Sequence, residues 1–349
     1  MYGAAIQPAI FTILADPDYY SNPKASSGAW QSSRFYNYEV PLSAAHKTGL
    51  GSSAALVSAF ATAAIAYFVP LSLKDAESKE GQARLHNLAQ AAHCAAQGKI
   101  GSGFDVAAAV YGSCVYRRFS PDILEALGDD KDPLFARKLH VVVEDADPKT
   151  KWDTNIDKPL ATIPGGLLLV MCDVDCGSET VGMVKSVLEW RKRNRDESAM
   201  LWASLQAANE DLAMQLRQLT TRLRFSAEDL ENVRKSFMTI RSLLRCMSKE
   251  AKVPIEPPVQ TALIDACTQL PGVIGGVVPG AGGYDAVALL IEDKAEVVRD
   301  LRSLLAEHQA IAEGEDGVRI GRIKLLGVKQ EEEGLRIEDA EEYEPWMNL

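Results

Sequence analysis

Positive charge is what this chain has too little of. Its 349 residues carry 37 lysines and arginines against 48 aspartates and glutamates, a formal net charge of −11. So acidic a balance argues against nucleic acid as the main partner. Any phosphorylated ligand must instead meet cations concentrated at one place. Metal-type cysteine spacing is missing as well. The six cysteines, at 94, 114, 172, 176, 246 and 267, are scattered. Cys172 and Cys176 are close, but no second pair or nearby histidine completes a zinc site. All six are expected to be free thiols in a reducing compartment, with the protein cytoplasmic. The apolar run Ala54 to Val69 is too short to span a membrane and contains serine and threonine, so no membrane insertion is expected. No secretory or transit segment is expected at Met1. There is no Gly-Lys-Ser/Thr, which excludes a P-loop of the Walker type.

What the chain does have is glycine beside apolar runs. With 47% hydrophobic and 24% charged residues it can bury a substantial core, and its length allows two domains. Lys47-Thr48-Gly49-Leu50-Gly51-Ser52-Ser53-Ala54-Ala55-Leu56 opens into an apolar segment reaching Phe68. A glycine-rich turn feeding a helix offers unpaired N–H groups and the positive end of the helix dipole, a place that holds phosphate. Glycine lets the backbone approach the anion. Ser52 and Ser53 can cap the helix or place a hydroxyl on a phosphate-bound metal. The same pattern also suits a capped core helix after a tight turn. Gly49-x-Gly51-x-x-Ala54 imitates a dinucleotide fingerprint, but Pro41 and a polar stretch precede it and Pro70 follows without a clear second strand.

Two more glycine-rich turns strengthen the phosphate reading. One is Gly98-Lys99-Ile100-Gly101-Ser102-Gly103-Phe104-Asp105, the other Pro279-Gly280-Ala281-Gly282-Gly283-Tyr284-Asp285. Three such turns, each beside a regular element, suggest several loops converging on a phosphorylated ligand. Lys47, Lys99, Arg117 and Arg118 lie in or near them. Phosphoryl transfer needs a phosphate cradle, a divalent metal and a group that orients the acceptor. Gly49 to Ala54 suits the first, Ser52 or Ser53 the second, and Asp105 the third, although an aspartate there can equally cap a helix.

Around these turns, helices are expected over about 52–68, 82–97 and 105–110. In the second of them Leu85, Leu88, Ala92 and Ala95 form one face. His86 and His93 share a face of that helix without further metal ligands. Strands are expected at 34–40, 114–119, 167–172, 273–278, 286–291 and 320–328. Helices at 181–191, 200–223, 259–270 and 295–305 join one carrying the stripe Leu230, Val233, Phe237, Ile240, Leu244 and Met247. Strands mixed with segregated helices indicate α+β rather than a doubly wound sheet. A domain boundary near 160 divides 1–160 from 161–349.

Together the three glycine turns resemble the GHMP small-molecule kinases. Within that superfamily the chain is similar to the fungal-type phosphomevalonate kinases. The segments that carry this are Ala92 to Lys99, Tyr111 to Phe119, Gly177-Ser178-Glu179-Thr180-Val181 and Ile255-Glu256-Pro257-Pro258-Val259-Gln260. The resemblance covers roughly 40–330. It implies a two-domain GHMP-kinase-like fold with a truncated N-terminal domain and a ferredoxin-like C-terminal domain with added helices. It implies ATP and Mg²⁺ as cofactors and 5-phosphomevalonate as substrate, with Asp105 as the catalytic base. Lys47, Thr48, Gly49, Leu50, Gly51, Ser52, Ser53 and Ala54 would bind ATP. Lys99, Ser102, Gly103, Ser178, Thr180, Gly280, Ala281, Gly282 and Gly283 would contact substrate. Ser178 can instead cap a helix, and Asp285 can orient the third loop or stabilise its turn. The matching segment Ala92-His93-Cys94 has no acid, which leaves the protein ligands of the metal open. No Pro-Gly-Lys motif with a following Gly-Gly-Tyr-type turn precedes Lys47. The chain is therefore expected to begin inside the N-terminal domain and to have little kinase activity by itself. Another GHMP kinase, such as a mevalonate kinase, or a catalytically dead binding protein are the alternatives.

Overall fold

A computed structural model describes residues 51–69, 78–158, 162–174, 180–222, 224–308, 323–326 and 332–336. The strand expected at 34–40 lies outside them. The described residues form two units, one of 51–158 with 332–336 and the other of 162–326.

In the first unit, helix α1 (Ser52–Phe68) starts where Gly51 takes a left-handed conformation. Helix α2 (Lys79–Gln97) is capped by the Ser78 hydroxyl, which accepts the Gly81 N–H at 3.0 Å, and stops at left-handed Gly98. Helix α3 (Phe104–Tyr111) follows left-handed Gly103. Small side chains let the three helices approach: Ala54, Ala89, Val106 and Val110 form their common core. Strand β1 (Val115–Arg117) pairs antiparallel with β2 (Asn155–Asp157). Between them lie helices α4 (Asp122–Glu125) and α5 (Phe135–Val143), whose Ile123, Leu124 and Val142 pack around Phe119. The stretch 332–336, expected within 161–349, belongs here: the Leu335 N–H donates to the Val110 carbonyl at 3.0 Å.

In the second unit, β3 (Leu167–Val174) leads to helices α6 (Thr180–Arg193), α7 (Arg195–Thr220), α8 (Ala227–Ala251) and α9 (Pro258–Thr268). Strands β4 (Val273–Val277) and β5 (Ala286–Glu292), helix α10 (Ala295–His308) and strand β6 (Ile323–Leu325) complete it. The strands pair in the order β4-β5-β3-β6, antiparallel throughout. Taken with α9 and α10, this is the βαββαβ order of a ferredoxin-like sheet, and α6 to α8 are the added helices. Alternation along the strands buries both faces. Val170, Cys172, Val287, Leu289 and Ile291 meet Leu263, Ile264, Leu301 and Leu305 on one side. Leu167, Ile274 and Leu290 meet Leu219, Val233 and Phe237 on the other. A Cβ on Gly275 would lie 2.5 Å from the Phe237 ring, so the glycine is what admits α8 so close to β4.

Candidate functional site

Gly51 closes the first glycine turn with φ +75° and, having no side chain, makes no side-chain cap on α1. A Cβ built on Gly51 would stand 3.2 Å from the Cβ of Asp105. Two turns some fifty residues apart in sequence therefore meet backbone to side chain. Asp105 sits in the first turn of α3 behind Gly103, which is also left-handed and also caps nothing with a side chain. The Asp105 carboxylate accepts the Val106 N–H through Oδ1 at 3.0 Å. Its Oδ2 is 3.9 Å from His93 Nε2.

The residue between the two turns is His93, which the glycine motifs do not single out. Its Nε2 lies 3.3 Å from Ser53 Oγ and 3.0 Å from Gln97 Nε2, and the residue is 4% exposed. With Nε2 unprotonated it accepts from the hydroxyl and the amide. With Nε2 protonated it donates toward Ser53 and Asp105. Leu88 and Ala92 are only half-buried and Ala95 is exposed, contrary to the expected apolar face of α2. The face turned inward instead carries His86, Gln90 and His93 with Leu85 and Cys94. The reason is local: His93 meets Ser53 and Gln97, Gln90 meets Cys94, and His86 meets Asn87 and lies among aromatic rings, so this face has side-chain partners for polar residues. The signal was present as a helical spacing of polar residues at 86, 90, 93 and 97.

The second turn is held from β1 and from this polar face. The Tyr116 hydroxyl donates to the Ser102 carbonyl at 3.1 Å, and Arg118 donates to the Ile100 carbonyl at 3.2 Å. Burial pushes the Tyr116 phenol up to about 12, which keeps it a donor. A Cβ on Gly103 would fall 2.4 Å from Gln90 Oε1 and 2.8 Å from the Tyr116 oxygen, so only glycine fits. Gln90 is fully buried and donates to the Cys94 sulfur at 3.1 Å. His86, packed among Tyr111, Tyr116 and Trp152, has its pKa lowered to about 4 by burial, with Asn87 opposing. Lys99 and Ser102 are exposed beside this turn.

The third turn belongs to the second unit. Gly280, Gly282 and Gly283 all have positive φ, and Gly280 and Ala281 are exposed. The Gly283 N–H donates to the Ile255 carbonyl at 2.9 Å. Lys47, Thr48, Gly49, Leu50 and Ser178 lie outside the described residues, and Ser52 and Thr180 are placed only as the first residues of α1 and α6. Cys94, Cys114, Cys172, Cys246 and Cys267 are free thiols. Among the described residues no group of three or more His, Cys, Asp or Glu is arranged to hold a metal, and no helix is long and apolar enough to cross a membrane.

Glycine-opened helix ends, one of them packed on a carboxylate, form an arrangement that can hold an anion and orient a reacting group. Models of the GHMP kinases N terminal domain and of the GHMP kinases C terminal match residues 34–113 and 226–310. The chain is 50% identical over 339 residues to phosphomevalonate kinase of Aspergillus fumigatus, covering 96% of this chain and 69% of that one. To the phosphomevalonate kinase of Gibberella zeae it is 45% identical over 343 residues, covering 98% and 73%. Its fold is similar to that of Streptococcus pneumoniae phosphomevalonate kinase, with a TM-score of 0.53 at 16% identity over 91% of this chain and 82% of that one. The class is thus a GHMP kinase, a phosphotransferase drawing on ATP. Within that class the chain belongs to the phosphomevalonate kinase family.

Proposed function

We propose that the protein transfers the γ-phosphoryl group of ATP to the phosphate of 5-phosphomevalonate, giving 5-diphosphomevalonate and ADP, in the cytoplasm. The contact of Gly51 with Asp105, with His93 touching Ser53, carries this reading because it brings a phosphate-holding helix end against a carboxylate. In this reading the amides from Gly49 to Ala54 cradle the nucleotide phosphates, with Lys47 supplying charge and Thr48 and Leu50 flanking. Lys99, Ser102 and Gly103 contact the acceptor. So do Ser178, Thr180 and the backbone of Gly280, Ala281, Gly282 and Gly283. The acceptor is already a phosphate, so Asp105 acts by orienting it rather than having to remove a proton.

Mg²⁺ suits the donors present. It keeps most of its shell from water and substrate phosphates and asks few oxygens of the protein. The Ser52 or Ser53 hydroxyl would hold it, and when bound it neutralises charge on the transferring group. Domain roles follow the same division, with nucleotide handling assigned to 1–160 and substrate contacts shared by 161–349. The test is ³¹P NMR of the protein with ATP and either 5-phosphomevalonate or mevalonate. The expected result is ADP with a new diphosphate resonance from 5-phosphomevalonate alone. Transfer to mevalonate instead contradicts the proposal.

A further inference from the structure

One buried charge cluster of the second unit plays no part in the chemistry above. Glu256, whose side chain is 0% exposed, receives Arg241 through Nε at 3.1 Å and NH2 at 2.8 Å. It also receives Arg245 at 2.9 Å and the Thr261 hydroxyl at 3.0 Å. Arg241 reaches on to Asp265 at 2.6 Å and to the Thr261 carbonyl at 3.4 Å. Burial works against the Arg241 charge, but Glu256 and Asp265 outweigh it and raise its pKa. A buried ion pair is weak evidence for stability, because apolar residues of the same volume often serve as well. What a forked guanidinium on a carboxylate does supply is fixed geometry.

That geometry is passed directly to the third glycine turn. The Ser248 hydroxyl accepts the N–H groups of both Ile255 and Glu256, at 3.1 and 3.2 Å. Pro257 and Pro258 follow as the N-cap and first residue of α9, which restricts the backbone further. The Ile255 carbonyl is therefore held in place, and it is the acceptor for the Gly283 N–H. Gly282, at φ +84°, lies so close that a Cβ would be 2.5 Å from that carbonyl oxygen. From the other side of the segment, fully buried Gln260 donates to the Tyr284 carbonyl at 2.5 Å.

We infer that Glu256 is a positioning residue: clamped by Arg241 and Arg245, it fixes Ile255 and thereby the conformation of the Gly280–Gly283 turn needed for the acceptor. The inference rests on the reading above that this turn contacts substrate. It accounts for the segment Ile255 to Gln260, which the phosphate motifs leave without a role.

The test uses the whole chain with Gly282→Ala, Ser248→Ala, Glu256→Gln and the double variant Arg241→Met/Glu256→Met. Steady-state constants for ATP and 5-phosphomevalonate are measured together with hydrogen exchange at the Gly283 amide. All four variants are expected to lower kcat/KM for 5-phosphomevalonate by roughly 10- to 100-fold, while KM for ATP stays within about two-fold. Gly283 exchange should quicken in Glu256→Gln and Ser248→Ala. The double variant should regain thermal stability relative to Glu256→Gln without regaining acceptor kinetics, an outcome a merely structural cluster would not give. If Glu256→Gln does not fold, Ser248→Ala and the double variant decide on the same readouts. The inference is overturned if Ser248→Ala and the Glu256 variants that fold keep wild-type acceptor kinetics and Gly283 protection while Gly282→Ala loses acceptor turnover. In that case the reading of the turn stands. If Gly282→Ala itself leaves acceptor kinetics unchanged, the reading of the turn fails and the inference falls with it.

Discussion

Among the described residues His93 has no charge partner closer than 3.9 Å, yet it touches Ser53 and faces the Asp105 carboxylate. Its contacts with Ser53 and Asp105 are the route by which it would act on the reaction. His93→Leu should lower kcat by on the order of 10-fold or more, because sub-ångström displacement of reacting groups is costly. His93→Gln, which can return an amide to the Nε2 position, should recover most of that loss. Wild-type turnover in His93→Leu would reduce the residue to a packed core histidine. His86 makes a different prediction. Its folded pKa of about 4 lies below the ordinary 6.5, so the unfolded chain binds more protons between those values. Stability from this group is present above pH 6.5 and is lost as pH falls toward 4, by about 3 kcal/mol in total. Chemical denaturation at pH 7 and pH 4.5 should show His86→Phe losing less stability on acidification than the parent protein. An equal loss in both would contradict the assignment.

Among the elements, α1 shows what the sequence could tell and what it could not. Its bounds, Ser52–Phe68, follow from glycine before an apolar run and proline after it. The contact of Gly51 with Asp105 does not follow, because no local pattern says which turn lies opposite. That contact alters the expected consequence of substitution. Gly51→Val should weaken ATP binding through strain at φ +75° and a blocked backbone, but should also push Asp105 away and lower kcat. Titration calorimetry with ATP and steady-state kinetics measure the two effects, and a loss confined to ATP affinity would mean that Asp105 does not feel the substitution. Helices α4 and α5 and strand β2 were illegible for a physical reason. Pro121 to Asp157 is dominated by charge and proline, and α5 ends in Val141-Val142-Val143, a run with strand propensity that tertiary contact with Phe119 overrides. In α8 the reading was easier, since Val233, Phe237, Ile240 and Met247 recur at helical spacing and are buried as that spacing demands. Its start is secured by a reciprocal cap between Ser226 and Asp229. Ser226→Ala should cost about 1 kcal/mol in thermal or urea denaturation, with no change expected if the cap contributes nothing.

At the scale of the molecule, an acidic chain of net charge −11 belongs to a family that handles phosphorylated compounds. Arg118 braces the second glycine turn and Lys99 stands exposed on it, so the proposed function would draw its local positive charge there. The ferredoxin-like order of the second unit was legible only through family resemblance, because strand periodicity gives residues that face inward but not which strand lies beside which. Asp105, packed on Gly51, is proposed to serve phosphoryl transfer to 5-phosphomevalonate. The most direct measurement is phosphomevalonate-dependent ADP release by Asp105→Asn beside the parent protein, with folding checked by thermal denaturation. A folded variant with kcat lowered by roughly 10²-fold or more is expected, the scale for loss of a group that orients a reacting one. A folded variant that turns over at near the parent rate would contradict it.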